Sequence, residues 1–229
     1  MEESSLQEHL MQNEAFFTNN YFLLEILKSD HRFEQHSEVI TIKDRGTIIT
    51  TGKADDDFYI IQDGIICVRG KNNTIIQFIK SGNSFGYSNL FNTAQMTTQY
   101  EVLTPATLLK IDKDFMSAIF RNNRLGIYIL DEYYTKTMQL AGLRLESFEL
   151  PSDRRVAVCL YEIAKMIGQK TNQGTLIPRV ITQQHVAEYC QTSREYTTMI
   201  LNRLAKDGYI RLRPKPWFIP DVEALVHGL

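Results

Sequence analysis

Three periodicities follow one another along the chain. Residues 1 to about 30 read as helical and end in an apolar cluster, Phe16, Phe17, Tyr21, Phe22, Leu23, Leu24, Ile26 and Leu27, suited to covering one side of a following domain. From Glu38 to Ile111 the pattern changes to short runs rich in Val, Ile, Thr, Tyr and Phe, punctuated by Gly46, Gly52, Gly64, Gly70 and Gly82. Many short strands at this spacing predict a β-barrel or jelly roll. From Lys113 to about Glu149 apolar residues recur every three or four positions, and Ile127, Leu130, Tyr134, Thr137, Ala141, Leu145 and Phe148 draw one continuous helical stripe. A helix of ~25 residues is ~37 Å long, more than one small barrel covers. Its exposed part needs a partner, and a second copy of the same helix is the economical one.

The last third is punctuated differently. Pro151 ends the long helix and starts another, Ser152 to Met166, which Gly168 stops. A loop at Thr171–Gly174 and a short strand at Leu176–Val180 lead to Ile181–Ile210. There Thr182 caps a short helix with Val186, Ala187 and Cys190 on one face, and Ser193 caps a second helix with Ile200, Leu201 and Leu204 inward. Arg194, Glu195, Thr197 and Thr198 fall near the start of that second helix on its outward side and Asp207-Gly208 ends it, the pattern of a helix-turn-helix. A recognition helix enters the major groove by its first turns, where Arg can bond guanine in a bidentate way and Glu can accept from cytosine. An ordinary helix pair with a solvated face has the same apolar spacing. After Gly208 come two extended runs around Pro214-Lys-Pro216, a wing whose Arg211, Arg213 and Lys215 are placed to meet phosphate.

Charge favours the DNA reading. The net charge of −2 divides into 14 Lys+Arg against 20 Asp+Glu in residues 1–149 and 11 against 7 in residues 150–229, so the basic excess accompanies the helix-turn-helix. The 229 residues are enough for two domains, and the composition is that of a soluble globular protein. No apolar run has the length of a membrane span and Met1-Glu-Glu-Ser-Ser lacks a basic leader, so a cytoplasmic protein with no membrane association is expected. Cys67, Cys159 and Cys190 have no metal-ligand spacing and read as buried thiols. Asp55-Asp56-Asp57 reads as a solvated turn rather than a cation site. No phosphate loop, nucleophile elbow or HExxH motif is present, so neither an enzyme nor a cofactor or metal is expected.

Gly46-Thr-Ile-Ile-Thr-Thr-Gly52, Phe58 to Val68 and Gly82-Asn-Ser-Phe-Gly86-Tyr87 together resemble the cyclic-nucleotide-binding jelly roll of the Crp/Fnr superfamily of bacterial transcription regulators. Arg155, Val156, Ala157 and Leu160 match the family's pattern, and Thr192 to Leu201 looks like its Ser-Arg-Glu recognition helix. The resemblance implies an α+β protein: a sensor jelly roll with N-terminal helices at 1–112, a dimerisation helix and linker at 113–150, and a winged helix-turn-helix at 151–229. It further implies a homodimer on near-palindromic double-stranded DNA, with RNA polymerase as a further partner.

On this resemblance the DNA-contacting set is Thr182, Ser193, Arg194, Glu195, Thr197, Thr198, Met199, Arg203, Arg213 and Lys215, with Met199 standing where some relatives place a second Arg. The dimer seam is Ile127, Leu130, Tyr134, Thr137, Ala141 and Leu145. Members that bind cyclic AMP carry a Glu and an Arg around the cyclic phosphate. Here the Glu position is Tyr87, the Arg falls near Met96 or Thr97, and no Arg or Lys occurs between Lys80 and Lys110. An anionic phosphate without a cation loses its strongest bonds. The effector is therefore expected to be something other than cyclic AMP, an unknown small molecule held among Phe85, Gly86, Tyr87, Met96, Thr97 and Tyr100, or absent. A rival of another class is a small-molecule-binding or interaction module with a vestigial DNA-binding domain.

Overall fold

The computed structural model describes residues 21–51, 57–87 and 97–227. Phe16, Phe17, Asp55, Asp56 and Met96 lie outside them. The chain divides into two compact units, residues 1–66 with 80–138, and residues 67–79 with 139–229.

Helix α1 (Tyr21–Lys28) precedes eight strands, β1 (Ser37–Ile42), β2 (Ile48–Thr51), β3 (Phe58–Asp63), β4 (Ile65–Arg69), β5 (Ile75–Lys80), β6 (Ser84–Phe85), β7 (Thr98–Val102) and β8 (Ala106–Ile111), all in the first unit except residues 67–79 of β4, β5 and their turn, which group with the second. They form two four-stranded sheets, in the orders β1-β8-β3-β6 and β2-β7-β4-β5, the expected jelly roll. Strand β8 is central to the first, pairing antiparallel with β1 (Val39 opposite Leu109) and with β3 (Ile60 opposite Leu109). The inward residues Phe58, Ile60, Leu109 and Ile111 pack with Leu23 and Leu27 of α1 and with Phe115, Met116 and Phe120 from the next helix in one core. Asp57, the described member of the acidic run, pairs with Lys110 at 3.1 Å.

The helical pattern from Lys113 is two helices rather than one. Asp112 caps α2 (Lys113–Asn122), its side chain accepting from Phe115 N at 2.8 Å. Asn123 then turns extended, at φ −104° and ψ 123°. Gly126 opens the long helix α3 (Gly126–Glu149), where a Cβ would come within 2.6 Å of the Phe120 carbonyl. Periodicity passed over this break because apolar spacing continues across it. Ile129 of α3 is buried in the core and Leu125, Leu130 and Tyr133 are packed against it.

In the second unit α4 (Ser152–Ile167) buries Val156, Ala157, Leu160 and Ile163. Strands β9 (Gln169–Thr171), β10 (Gly174–Ile177) and β11 (Trp217–Ile219) form an antiparallel sheet with β10 central. Between β10 and β11 lie α5 (Gln183–Cys190) and α6 (Arg194–Lys206), and α7 (Ala224–His227) follows. This is a winged helix-turn-helix. No helix of the described residues is long and apolar enough to cross a membrane.

Candidate nucleic-acid interface

Two side-chain caps set the helix-turn-helix. Thr182 Oγ1 accepts from His185 N at 3.2 Å to start α5, and Ser193 Oγ accepts from Tyr196 N at 3.1 Å to start α6. Gln191 takes the left-handed conformation (φ 54°, ψ 48°) between them, which turns the chain from one helix into the next. Val186, Ala187 and Cys190 of α5 pack inward with Ile200, Leu201 and Leu204 of α6, all buried. The opposite face of α6 presents Arg194, Glu195, Asn202 and Lys206 to solvent, with Met199 55% exposed. Asn202 and Lys206 follow from the same helical phase, three and seven residues beyond Met199, but lie past the first turns where base readers were sought.

Three members of the expected contact set have other work. Thr197 is fully buried, and its hydroxyl lies 2.6 Å from Thr192 Oγ1, so it braces the turn and cannot reach a base. Its spacing to Ile200, Leu201 and Leu204 is that of the buried face, which the sequence already carried. Arg203 is held by Asp153 of α4 at 2.9 Å, and that hydrogen bond keeps the Asp153 carboxyl below its usual range. Lys215 donates to the carbonyls of Arg179 at 3.0 Å and Ile181 at 2.8 Å, fastening the wing to the segment that enters α5. Thr198 is half-buried, its hydroxyl 2.8 Å from the Arg194 carbonyl and 3.0 Å from Gln183 Oε1. Arg213 is exposed. The start of α5, the side of α6 and the wing enclose an open groove of about 740 Å³, with Gln184, Arg194, Asn202, Arg213, Lys215 and Trp217 among its lining residues.

The sensor candidates lie in the first unit. Phe85 is stacked between Tyr59, at 4.8 Å between ring centroids, and Tyr100, at 4.1 Å. Tyr87 is 3% exposed, stacks on Tyr133 of α3 at 3.9 Å, meets Phe58 edge-on at 4.7 Å and places its hydroxyl 2.8 Å from Ser84 Oγ. Burial pushes its phenol well above the ordinary tyrosine range. Gly86 has φ +104°, and a Cβ there would stand 2.8 Å from the Asp57 carbonyl, so the turn requires glycine. Thr97 is exposed. Among the described residues Phe85, Tyr87 and Tyr100 thus pack against one another's neighbours on this side of the jelly roll.

The long helix carries an uncovered apolar line. Ile127, Tyr134, Met138 and Leu145 are 65%, 49%, 70% and 69% exposed. Their spacing of seven, four and seven residues puts them on one side of α3. Thr137 and Ala141 are exposed beside them, while Leu130 is half-buried against the sensor core. Met138 extends the line beyond the residues expected from the sequence.

Two protein families match this chain in succession, the cyclic nucleotide-binding domain at residues 39–123 and the Crp-like helix-turn-helix domain at residues 154–227. The chain belongs to the Crp/Fnr superfamily of bacterial transcription regulators. It is 26% identical to the lactate racemization regulatory protein of Lactiplantibacillus plantarum over 91% of this chain and 96% of that protein. It is 23% identical to a CRP-like cAMP-activated global transcriptional regulator of Mycobacterium tuberculosis, over 78% of this chain and 82% of that one.

Solved structures share the fold. A cyclic nucleotide-binding domain containing protein from Listeria monocytogenes superposes with a TM-score of 0.72 at 19% identity, covering 87% of this chain and 96% of that one. A CooA mutant from Carboxydothermus hydrogenoformans gives 0.69 at 16% identity, covering 90% and 94%.

Proposed function

We propose that the chain regulates transcription as a homodimer that binds a near-palindromic DNA site, with RNA polymerase as a further partner and no dependence on cyclic AMP. The observation that carries this reading is the outward face of α6, where Arg194, Glu195, Met199 and Asn202 stand exposed on a helix whose start is fixed by the Ser193 cap. Arg194 is the guanine reader and Glu195 the cytosine reader. Met199 offers an apolar surface to a thymine methyl, and Asn202 can bond adenine at N6 and N7. Arg213 supplies a phosphate contact from the wing, and the caps at Thr182 and Ser193 leave helix N-termini facing the backbone.

The exposed line of Ile127, Tyr134, Met138 and Leu145 supports the dimer, since covering a large apolar side chain contributes up to about 1.5–3 kcal/mol. Two recognition helices then address successive major grooves ~34 Å apart. Independence from cyclic AMP is supported by the lack of any Arg or Lys in residues 81–109 and by the burial of Tyr87. Gel shifts on a bound duplex are expected to give the same dissociation constant with and without saturating cyclic AMP. A tenfold or larger tightening by the nucleotide would overturn that part of the reading.

A further inference from the structure

The hairpin β4–β5 belongs, from residue 67 to 79, to the same compact unit as the helix-turn-helix. Its contacts there are specific. The Arg69 guanidinium at the end of β4 makes a short ion pair with Glu188 of α5, and both side chains are largely shielded, at 13% and 18% exposed. Phe78 of β5 packs against Tyr189, the next residue of α5, with ring centroids 5.6 Å apart. Arg144 of α3 joins the same cluster. It lies 3.9 Å over the Tyr189 ring, donates to the Ile75 carbonyl of β5 at 3.3 Å and approaches Glu162 Oε2 of α4 at 4.0 Å. The Tyr189 hydroxyl donates to that same oxygen at 2.7 Å.

We infer that the β4–β5 hairpin is a positioning latch on the first helix of the helix-turn-helix, with the Arg69–Glu188 ion pair and the Phe78–Tyr189 contact raising DNA affinity from a surface remote from the base-reading face. The inference rests on the proposed DNA-binding function. Its sign comes from where the latch leads. Glu188 also accepts from Gln184 Nε2 at 2.9 Å, and Gln184 lines the groove with Arg194 and Arg213. Latched, Glu188 is neutralised by Arg69, and Arg194, Glu195, Met199 and Asn202 remain exposed. Unlatched, an uncompensated carboxylate stands one helical turn from a groove that receives phosphate, where like charge repels.

The cluster can also release. Arg144 Nη1 and Glu162 Oε1 are buried with no hydrogen-bond partner among the described residues. Burial pushes the Glu162 carboxyl up, against the Tyr189 hydroxyl and Arg144, which favour its charged form. A partly satisfied buried network is held less firmly than a complete one. A change in the hairpin is thus transmitted to α5 at modest cost.

The test is a fluorescence-anisotropy titration of a duplex selected by the wild-type chain, with thermal melts and hydrogen exchange over residues 75–80 on the same preparations. Arg69→Glu is expected to weaken binding about tenfold, within the range of intramolecular coupling energies, and to speed exchange in the hairpin. The swap Arg69→Glu with Glu188→Arg restores both at unchanged net charge. If Arg69→Glu lowers the melting temperature, Arg69→Gln gives the same direction with a smaller loss. Unchanged or tighter binding by a folded Arg69 variant overturns the latch, as does a folded swap that stays weak. A wild-type chain that selects no duplex overturns the DNA-binding reading, and the latch with it.

Discussion

The double substitution Met138→Glu and Leu145→Glu is expected to make the chain monomeric and to lower its affinity for a two-half-site duplex by about 10²–10⁴, the range that linking two binding events contributes. The two residues are 70% and 69% exposed and stand on the same side of α3 as Ile127 and Tyr134. Large apolar side chains in a line are costly to leave in water, and a charge placed in the seam costs far more when buried than when solvated. Sedimentation equilibrium gives the mass, and anisotropy on a duplex with one half-site separates loss of bivalency from loss of readout. Half-site binding should be nearly unchanged in the variant. A variant that remains dimeric would show that the line is covered in another way.

Arg194→Ala is expected to cost about 1–3 kcal/mol at the specific duplex and to flatten the preference for guanine at one position of each half-site. The residue stands exposed in the first turn of α6, on the wall of the groove, directly after the Ser193 cap. Asn202→Ala, two turns on, should instead relax an adenine preference at a different position. Both variants keep the apolar face of α6 intact, so melting temperatures stay within a few degrees of the parent. A panel of single-base operator changes distinguishes these outcomes from a uniform loss, which would mark either residue as a phosphate contact.

The helix-turn-helix was legible because its signals are local. Thr182 and Ser193 cap the helices expected of them, Gly168 and Gly208 follow helix ends, and the wing forms beyond Gly208. The jelly roll was legible at the level of alternating strands and turn glycines. Contacts that the sequence did not show depend on partners distant in it. Arg203 looked free on the helix face until Asp153, 50 residues earlier, was brought beside it. Lys215 looked like a phosphate ligand, yet its ammonium closes on backbone carbonyls 34 and 36 residues before it.

Thr197 differs: it was expected on the outward side of α6, yet its spacing to Ile200 and Leu204 is that of the inner face, where it is buried. The aromatic packing of Phe85 between Tyr59 and Tyr100 joins three separate strands, and no single stretch of sequence carries it. The Arg69–Glu188 pair spans 119 residues and was invisible for the same reason.

The central claim is that two copies of this chain read DNA through α6. Selection of bound duplexes from a random pool by the purified chain, without added nucleotide, tests it most directly. The predicted result is two inverted half-sites, each with a guanine and an adenine held constant, centred about one helical turn or 34 Å apart. Recovery of an unenriched pool, or of a single unrepeated motif, would contradict it.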